Sequence, residues 1–294
     1  MKKNKRAIWT TVFAVSIVIV ICALGLLCLY LFGLYSSGNE YDDLKNISSS
    51  EIESKVTVES KVTDNSVSIK EDTDSEIVTE SESDDENSVP VVVRDVVNGD
   101  INFTELWKVN PDVYAWIKVP NTSVDYPVLQ CDNDDSFYLN HNVYKQYAFA
   151  GSIYTESLNS KDFSDPNTVL YGHNMLNGTM FRTLHNFRDP DFFAQNEYIY
   201  VYLPERTLTY QIFSAYEYDD RHLLYSFDFS DEDTYREYLE YAQNPTSSMT
   251  ANIRELGVNT DDKIITLSTC MDDIDTSRYL VQGVLISDEP TTNK

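Results

Sequence analysis

Cys270 closes the run Lys263-Ile-Ile-Thr-Leu-Ser-Thr-Cys270. Alternate side chains of a strand share a face, so Thr266, Ser268 and Cys270 point one way and Ile265, Leu267 and Thr269 the other. The second face is apolar enough to be core. The first grows more polar toward its end, as a strand does on entering a cleft. After the loop Met271–Ser277 a new strand begins at Arg278. The two mouths of such a hairpin lie within about 5 Å across the ladder, which returns Arg278 beside Cys270. A guanidinium there favours the thiolate and stabilises negative charge on a reacting carbonyl oxygen. An arginine flanking a turn also pairs readily with Asp272, Asp273 or Asp275, and spacing alone leaves both readings open. A thiol nucleophile needs a partner that moves protons. Of four histidines, His173 ends the strand-like run Thr168-Val-Leu-Tyr-Gly-His173 and so sits at a strand mouth, as Cys270 does. His141, in a polar loop, His185, on an apparent helix over Thr179–Phe187, and His222, after Asp219-Asp220-Arg221, are read as solvated or locally satisfied.

Short β-rich runs separated by turn signals must carry these residues. They are Tyr114–Val119, Val124–Gln130, Gly151–Thr155, Asn167–His173, Tyr198–Leu203, Leu208–Tyr218, Lys263–Cys270 and Arg278–Ile286. Helical patterns fall at Asn102–Val109, at Asp231–Ala242 and, for a turn or two, at Ser248–Leu256. Many strands with inserted helices predict a mainly β, closed or nearly closed barrel rather than alternating βαβ units.

The rest of the chain is divided by charge. The 294 residues carry a net −26, made of +4 in residues 1–35, −13 in 36–100 and −17 in 101–294. No segment beyond residue 6 has a basic excess, which excludes nucleic-acid binding by phosphate neutralisation. Lys2, Lys3, Lys5 and Arg6 precede a stretch from Ala7 to Gly38 without a charged residue. That length suits a membrane span, and the basic block places the N-terminus in the cytoplasm. The run is longer than a cleaved signal peptide needs and lacks an Ala-x-Ala site, so an uncleaved signal anchor over residues 7–35 is expected. Residues 36–100 are rich in Ser, Thr, Asp and Glu and read as a disordered acidic linker. Residues 101–287 are expected to hold one folded domain and 288–294 a polar tail. Cys22 and Cys28 fall in the apolar stretch, which leaves Cys131 and Cys270 outside it. Outside the cell these two would usually pair; if free, one is there for its reactivity, and Cys131 lies in a turn-like stretch. No Cys-x-x-Cys or His-x-x-x-His spacing, phosphate-binding glycine loop or calcium loop occurs, so neither metal nor cofactor is expected.

Thr266-Leu-Ser-Thr-Cys270, Arg278 heading the last strand, and Tyr171-Gly-His-Asn-Met175 together resemble the sortases of Gram-positive bacteria, over about residues 101–287. Trp116-Ile117, Asp125-Tyr-Pro-Val128, Gly151-Ser-Ile153 and Phe181 fall where that family has similar runs. The resemblance implies an eight-stranded β-barrel and a cysteine transpeptidase. Such an enzyme cuts a C-terminal sorting signal of secreted proteins after Thr and joins it to an amine of the cell wall or a pilin. By position, Cys270 would be the nucleophile, His173 the acid and then the base, and Arg278 the substrate and oxyanion ligand. The pH–rate profile would belong to the coupled thiol–imidazole pair. The helices at Asn102–Val109 and Asp231–Leu256 resemble those of class B. Asp189-Pro-Asp-Phe192 lies after the His loop and is not the N-terminal lid of class C. A membrane-tethered cysteine peptidase using water, and a silent surface adhesin with Cys270 buried, are the alternatives.

Overall fold

The computed structural model describes residues 12, 13, 15–28, 41, 43–46, 96–246, 251–271 and 276–291. Eleven strands lie among them: β1 (Val97–Asn98), β2 (Ile101–Asn102), β3 (Val113–Lys118), β4 (Asp125–Leu129), β5 (Ile153–Tyr154), β6 (Asn167–Tyr171), β7 (Tyr198–Tyr202), β8 (Arg206–Asp219), β9 (Asn252–Ile253), β10 (Ile264–Cys270) and β11 (Ser277–Pro290). Eight of them close a ring in the order β8–β11–β10–β6–β5–β4–β3–β7–β8. The ring strands are the eight runs read from the sequence. Closure leaves no unpaired edge between them. The seam is the long antiparallel pairing of β8 with β11, from Ser277 opposite Asp219 to Pro290 opposite Arg206. It bends at two irregularities, one between Gln282 and Gly283. A Cβ on Gly283 would lie 2.9 Å from that of Tyr210, so the bend needs glycine.

The barrel interior is filled by alternate residues, among them Ile117, Val128, Leu170, Val201, Ile265, Leu267 and Val281. A second apolar layer lies outside the barrel, where the helix Glu232–Gln243 covers Val169, Phe213, Tyr216, Ile264 and Leu280. Its N-cap is Asp231, whose side chain accepts from Thr234 N. Tyr235, Tyr238, Leu239 and Ala242 recur at helical spacing and form its buried face. Between this helix and the sheet runs a buried polar chain. Gln282 Nε2 donates to Tyr238 Oη (2.7 Å) and Thr266 Oγ1 (2.9 Å), and Thr266 Oγ1 donates to Asn167 Oδ1 (2.8 Å). It ties β6, β10 and β11 to one helix. The helix Phe103–Val109, capped by Asn102, plugs the barrel with Phe103 and Leu106.

Four expectations change. The turn of helix at Ser248–Leu256 is not formed at its described end; Asn252–Ile253 pairs instead with Ser214–Ala215 of β8. Asn252 Nδ2 donates to the Phe187 and Arg188 carbonyls, and Arg254 to that of Phe193, which favours an extended chain there. The apparent helix at Thr179–Phe187 is a 3-10 helix over Arg182–Arg188. Described structure of the domain extends upstream of residue 101, through β1 to Val96. The expected linker over 36–100 also contains a docked piece. Tyr41 and Asp43–Asn46 are helical, with Tyr41 and Leu44 buried in the core. Tyr41 meets Tyr126 edge-on at 5.0 Å, and Lys45 pairs with Asp125 at 2.9 Å. Residues 47–95 lie outside the described residues. Val12, Phe13 and Val15–Cys28 are helical, the expected span continues outside the described residues, and among those described no helix is long and apolar enough to cross a membrane.

Thr266→Val keeps the shape of a buried side chain but leaves Asn167 Oδ1 without its donor. Such an orphaned buried group costs about 1–3 kcal/mol. Denaturant unfolding at constant slope should show that loss, and an unchanged midpoint would mean the polar chain adds nothing to stability.

Candidate active site

The side chains singled out from the sequence are assembled by two strand pairings. β10 and β11 run antiparallel with Cys270 directly opposite Arg278. β6 and β10 run parallel with Tyr171 opposite Ser268. Gly172 N then donates to Ser268 O (3.2 Å), and two residues beyond that last pair stand His173 and Cys270. All three side chains line one cleft of about 450 Å³ on the outer face of the barrel, where the covering helix stops. Cys270 is half-buried and opens into it, unlike a core thiol. Cys131 and Cys270 are both free, so the pairing usual outside the cell is not made.

His173 is held on a short, closed loop. Asn174 bridges Met180, and Phe181 N donates to His173 O (3.0 Å). Gly172 is required by close approach: a Cβ there would lie 2.5 Å from Ile153 Cδ1 and 2.7 Å from the buried Phe181 ring. The imidazole stacks on Phe149 at 5.9 Å, and its Nε2 is 2.7 Å from Leu139 O. A carbonyl only accepts, so Nε2 carries the proton and Nδ1 is the nitrogen left for proton traffic. Leu139 is fixed in turn by the 3-10 helix Phe137–Leu139 and by Gly151. Gly151 has φ +56° and packs its α-carbon against the carbonyls of Tyr138 and Leu139, where a Cβ would come within 2.6 Å and 2.4 Å. Tyr41 Oη donates to Gly151 O (3.0 Å) from behind.

The remaining walls are aromatic and acidic. Tyr154, Tyr171 and Tyr218 face the cleft, and burial pushes their phenols well above the usual range, so they stay neutral. Glu156 Oε1 receives His222 Nε2 at 2.7 Å. Burial raises the Glu156 carboxyl, against the pull of that histidine. His222 also lies beside the Tyr225 ring at 4.4 Å. Its partner is 66 residues away in sequence, so it is not the locally satisfied histidine expected. His185 likewise departs from expectation, with Nε2 3.1 Å from the Cys270 carbonyl oxygen. His141 does behave as read, stacked on Phe137 at 4.1 Å with Nδ1 2.8 Å from Phe137 O. Sequence reasoning missed Glu156, Asn174 and His185. Asn174 stood next to His173, but nothing in its spacing pointed back to β10. Asp272–Asp275 lie outside the described residues.

A closed eight-stranded barrel with Cys, His and Arg at the mouth of its central strands defines a class, and the sortase domain family matches residues 117–286. The chain belongs to the sortase family. Its relatives place it in class B. A sortase B of Listeria monocytogenes is 34% identical over 198 residues, covering 65% of this chain and 77% of that protein. The crystal structure of Clostridium perfringens sortase B superposes with a TM-score of 0.57 at 36% identity, covering 63% of this chain and 100% of that one. A Staphylococcus aureus sortase B–substrate complex gives 0.55 at 30% identity, covering 63% and 84%. Enzymes of this family are cysteine transpeptidases, and this chain is one of them.

The raised Glu156 carboxyl has a consequence for stability. The folded state holds that proton more tightly than the unfolded one, so stability is greatest below the ordinary glutamate range and falls as pH rises through the folded value. Glu156→Gln removes the titration. Thermal melts of the variant should flatten across that window relative to wild type; parallel pH curves for the two proteins would refute the assignment.

Proposed function

We propose that the protein is a membrane-anchored class B sortase that cleaves a C-terminal sorting signal and transfers it to an amine of the cell wall or of a pilin. The observation that carries this is the pair of registers placing Arg278 opposite Cys270 and His173 level with it. Cys270 attacks the Thr carbonyl of an extended peptide lying in the cleft. Arg278 donates to the oxygen as it gains charge, and the low-dielectric aromatic walls strengthen that bond. The C–N bond after Thr breaks, and His173 gives its Nδ1 proton to the departing amine. The incoming amine surrenders a proton to the same nitrogen as it attacks the thioester. The thiolate is then released and the new amide leaves. A neutral tyrosine wall and the absence of any basic patch in the domain sequence suit a peptide rather than a polyanionic substrate. Residues 1–6 are proposed to lie in the cytoplasm, residues 7–35 to cross the membrane, and the barrel to stand outside the cell.

The test is incubation with a sorting-signal peptide, with and without an amine such as triglycine. Product should be amine-joined, and release by water alone in both arms would identify a peptidase instead. Cys270→Ala should lose at least about 10³-fold in rate. Arg278→Lys retains the charge but not the fork of donors, and should lose about 10²-fold in kcat. Activity surviving Cys270→Ala would remove the nucleophile from this site.

A further inference from the structure

Cys270 is the last residue of β10, and its carbonyl oxygen has an unusual set of partners. Asn174 Nδ2 donates to it at 3.0 Å and His185 Nε2 lies 3.1 Å away. The two donors come from different elements, the loop after β6 and the 3-10 helix Arg182–Arg188. Neither orientation is arbitrary. Arg182 Nη1 donates to Asn174 Oδ1 at 2.9 Å, so the amide must turn its NH₂ toward Cys270. The His185 ring lies nearly flat over Tyr279, at 5.0 Å and 23°, and a carbonyl can only accept, so Nε2 bears the hydrogen. Tyr279 follows Arg278 in β11 and pairs with Thr269.

We propose that Asn174 and His185 are positioning residues that fix the peptide plane following the nucleophile. The carbonyl of that plane is clamped by the two side chains, and its other end, Met271 N, donates to Ser277 O at 3.1 Å. The hairpin is therefore pinned just where it leaves the ladder, and the pairing of Cys270 with Arg278 is held there. A slip of one residue at this point would send the thiol to the other face of the sheet. Even a displacement of about 1 Å at a reacting group can cost about 10²-fold in rate. The clamp also explains why His173 and Asn174 are adjacent: one loop carries both the proton-transfer group and the group that sets the height of the thiol.

The inference rests on Cys270 being the nucleophile, which Cys270→Ala tests separately through loss of all amine-joined product. The clamp is tested in the full-length protein with a sorting-signal peptide and triglycine. His185→Phe keeps a ring over Tyr279 but removes the donor, whereas His185→Gln restores a donor near the Nε2 position. His185→Phe should lower kcat about tenfold with KM within twofold, and His185→Gln should recover to within threefold of wild type. Alkylation of Cys270 by iodoacetamide, followed by peptide mapping, should slow at least threefold in His185→Phe and recover in His185→Gln. That readout does not depend on the peptide. Wild-type kcat in His185→Phe would overturn the clamp, as would equal losses in the two variants. Asn174→Ala decides the case if His185→Phe does not fold: a tenfold fall in kcat at unchanged KM supports the clamp, and an unchanged kcat overturns it.

Discussion

A parallel pair of strands has no tight turn to set its alignment, so the register of β6 against β10 must be fixed by what packs around it. Here that register decides whether His173 and Cys270 meet at all. It is secured on the outer face by the chain from Asn167 through Thr266 to Gln282 and Tyr238, all buried under one helix. Asn167 and Thr266 sit on the two partner strands, and Gln282 lies opposite Thr266 on β11. One hydrogen-bonded row therefore aligns three strands at their covered ends. The open ends, about 13 Å further along by strand rise, inherit that alignment. Any other register would break the Asn167–Thr266–Gln282–Tyr238 bonds inside a buried layer, and that loss penalises the slip.

The outer face of β6 and β10 is thus used in two ways. Below, it is dry and locked; above, where the helix ends, the same face becomes the floor of the cleft. Val169 lies under the helix, Tyr171 spans the border, and His173 is in the open. β10 repeats this progression from Thr266 through Ser268 to Cys270. The burial pressing on Tyr154, Tyr171 and Glu156 comes from this border, where side chains pack as core on one side and meet substrate on the other.

Much of this was readable from the chain because strand alternation is a short-range signal. The run ending at Cys270 showed which side chains share a face, and the hairpin returning at Arg278 set their distance. The caps at Asn102 and Asp231 marked two helix starts for the same local reason. What stayed hidden depends on contacts distant in sequence. His222 reaches Glu156 and His185 reaches Cys270 only after the barrel closes, so each looked like an isolated histidine. The extended Asn252–Ile253 was masked by a helical-looking composition, and its cause is the carbonyls of Phe187 and Arg188 that Asn252 satisfies. Tyr41 precedes a long stretch without aromatics, and nothing near it in the chain shows that Tyr126 receives it.

The docking of Tyr41 and Leu44 bears on the proposed anchoring. On the other side of residues 47–95, Val96 is held to the domain by its N–H, which donates to Thr104 Oγ1 at 2.9 Å. Along the sequence, the barrel is thus first reached at Tyr41 and Leu44, before residues 47–95. With residues 7–35 proposed as the span, only residues 36–40 separate it from Tyr41, and five extended residues reach about 18 Å at most. Tyr41 is seated behind Gly151, on the side of the molecule that steadies Leu139 and through it His173. The first residue to dock and the proton-transfer group thus share one support, the turn at Leu139 and Gly151.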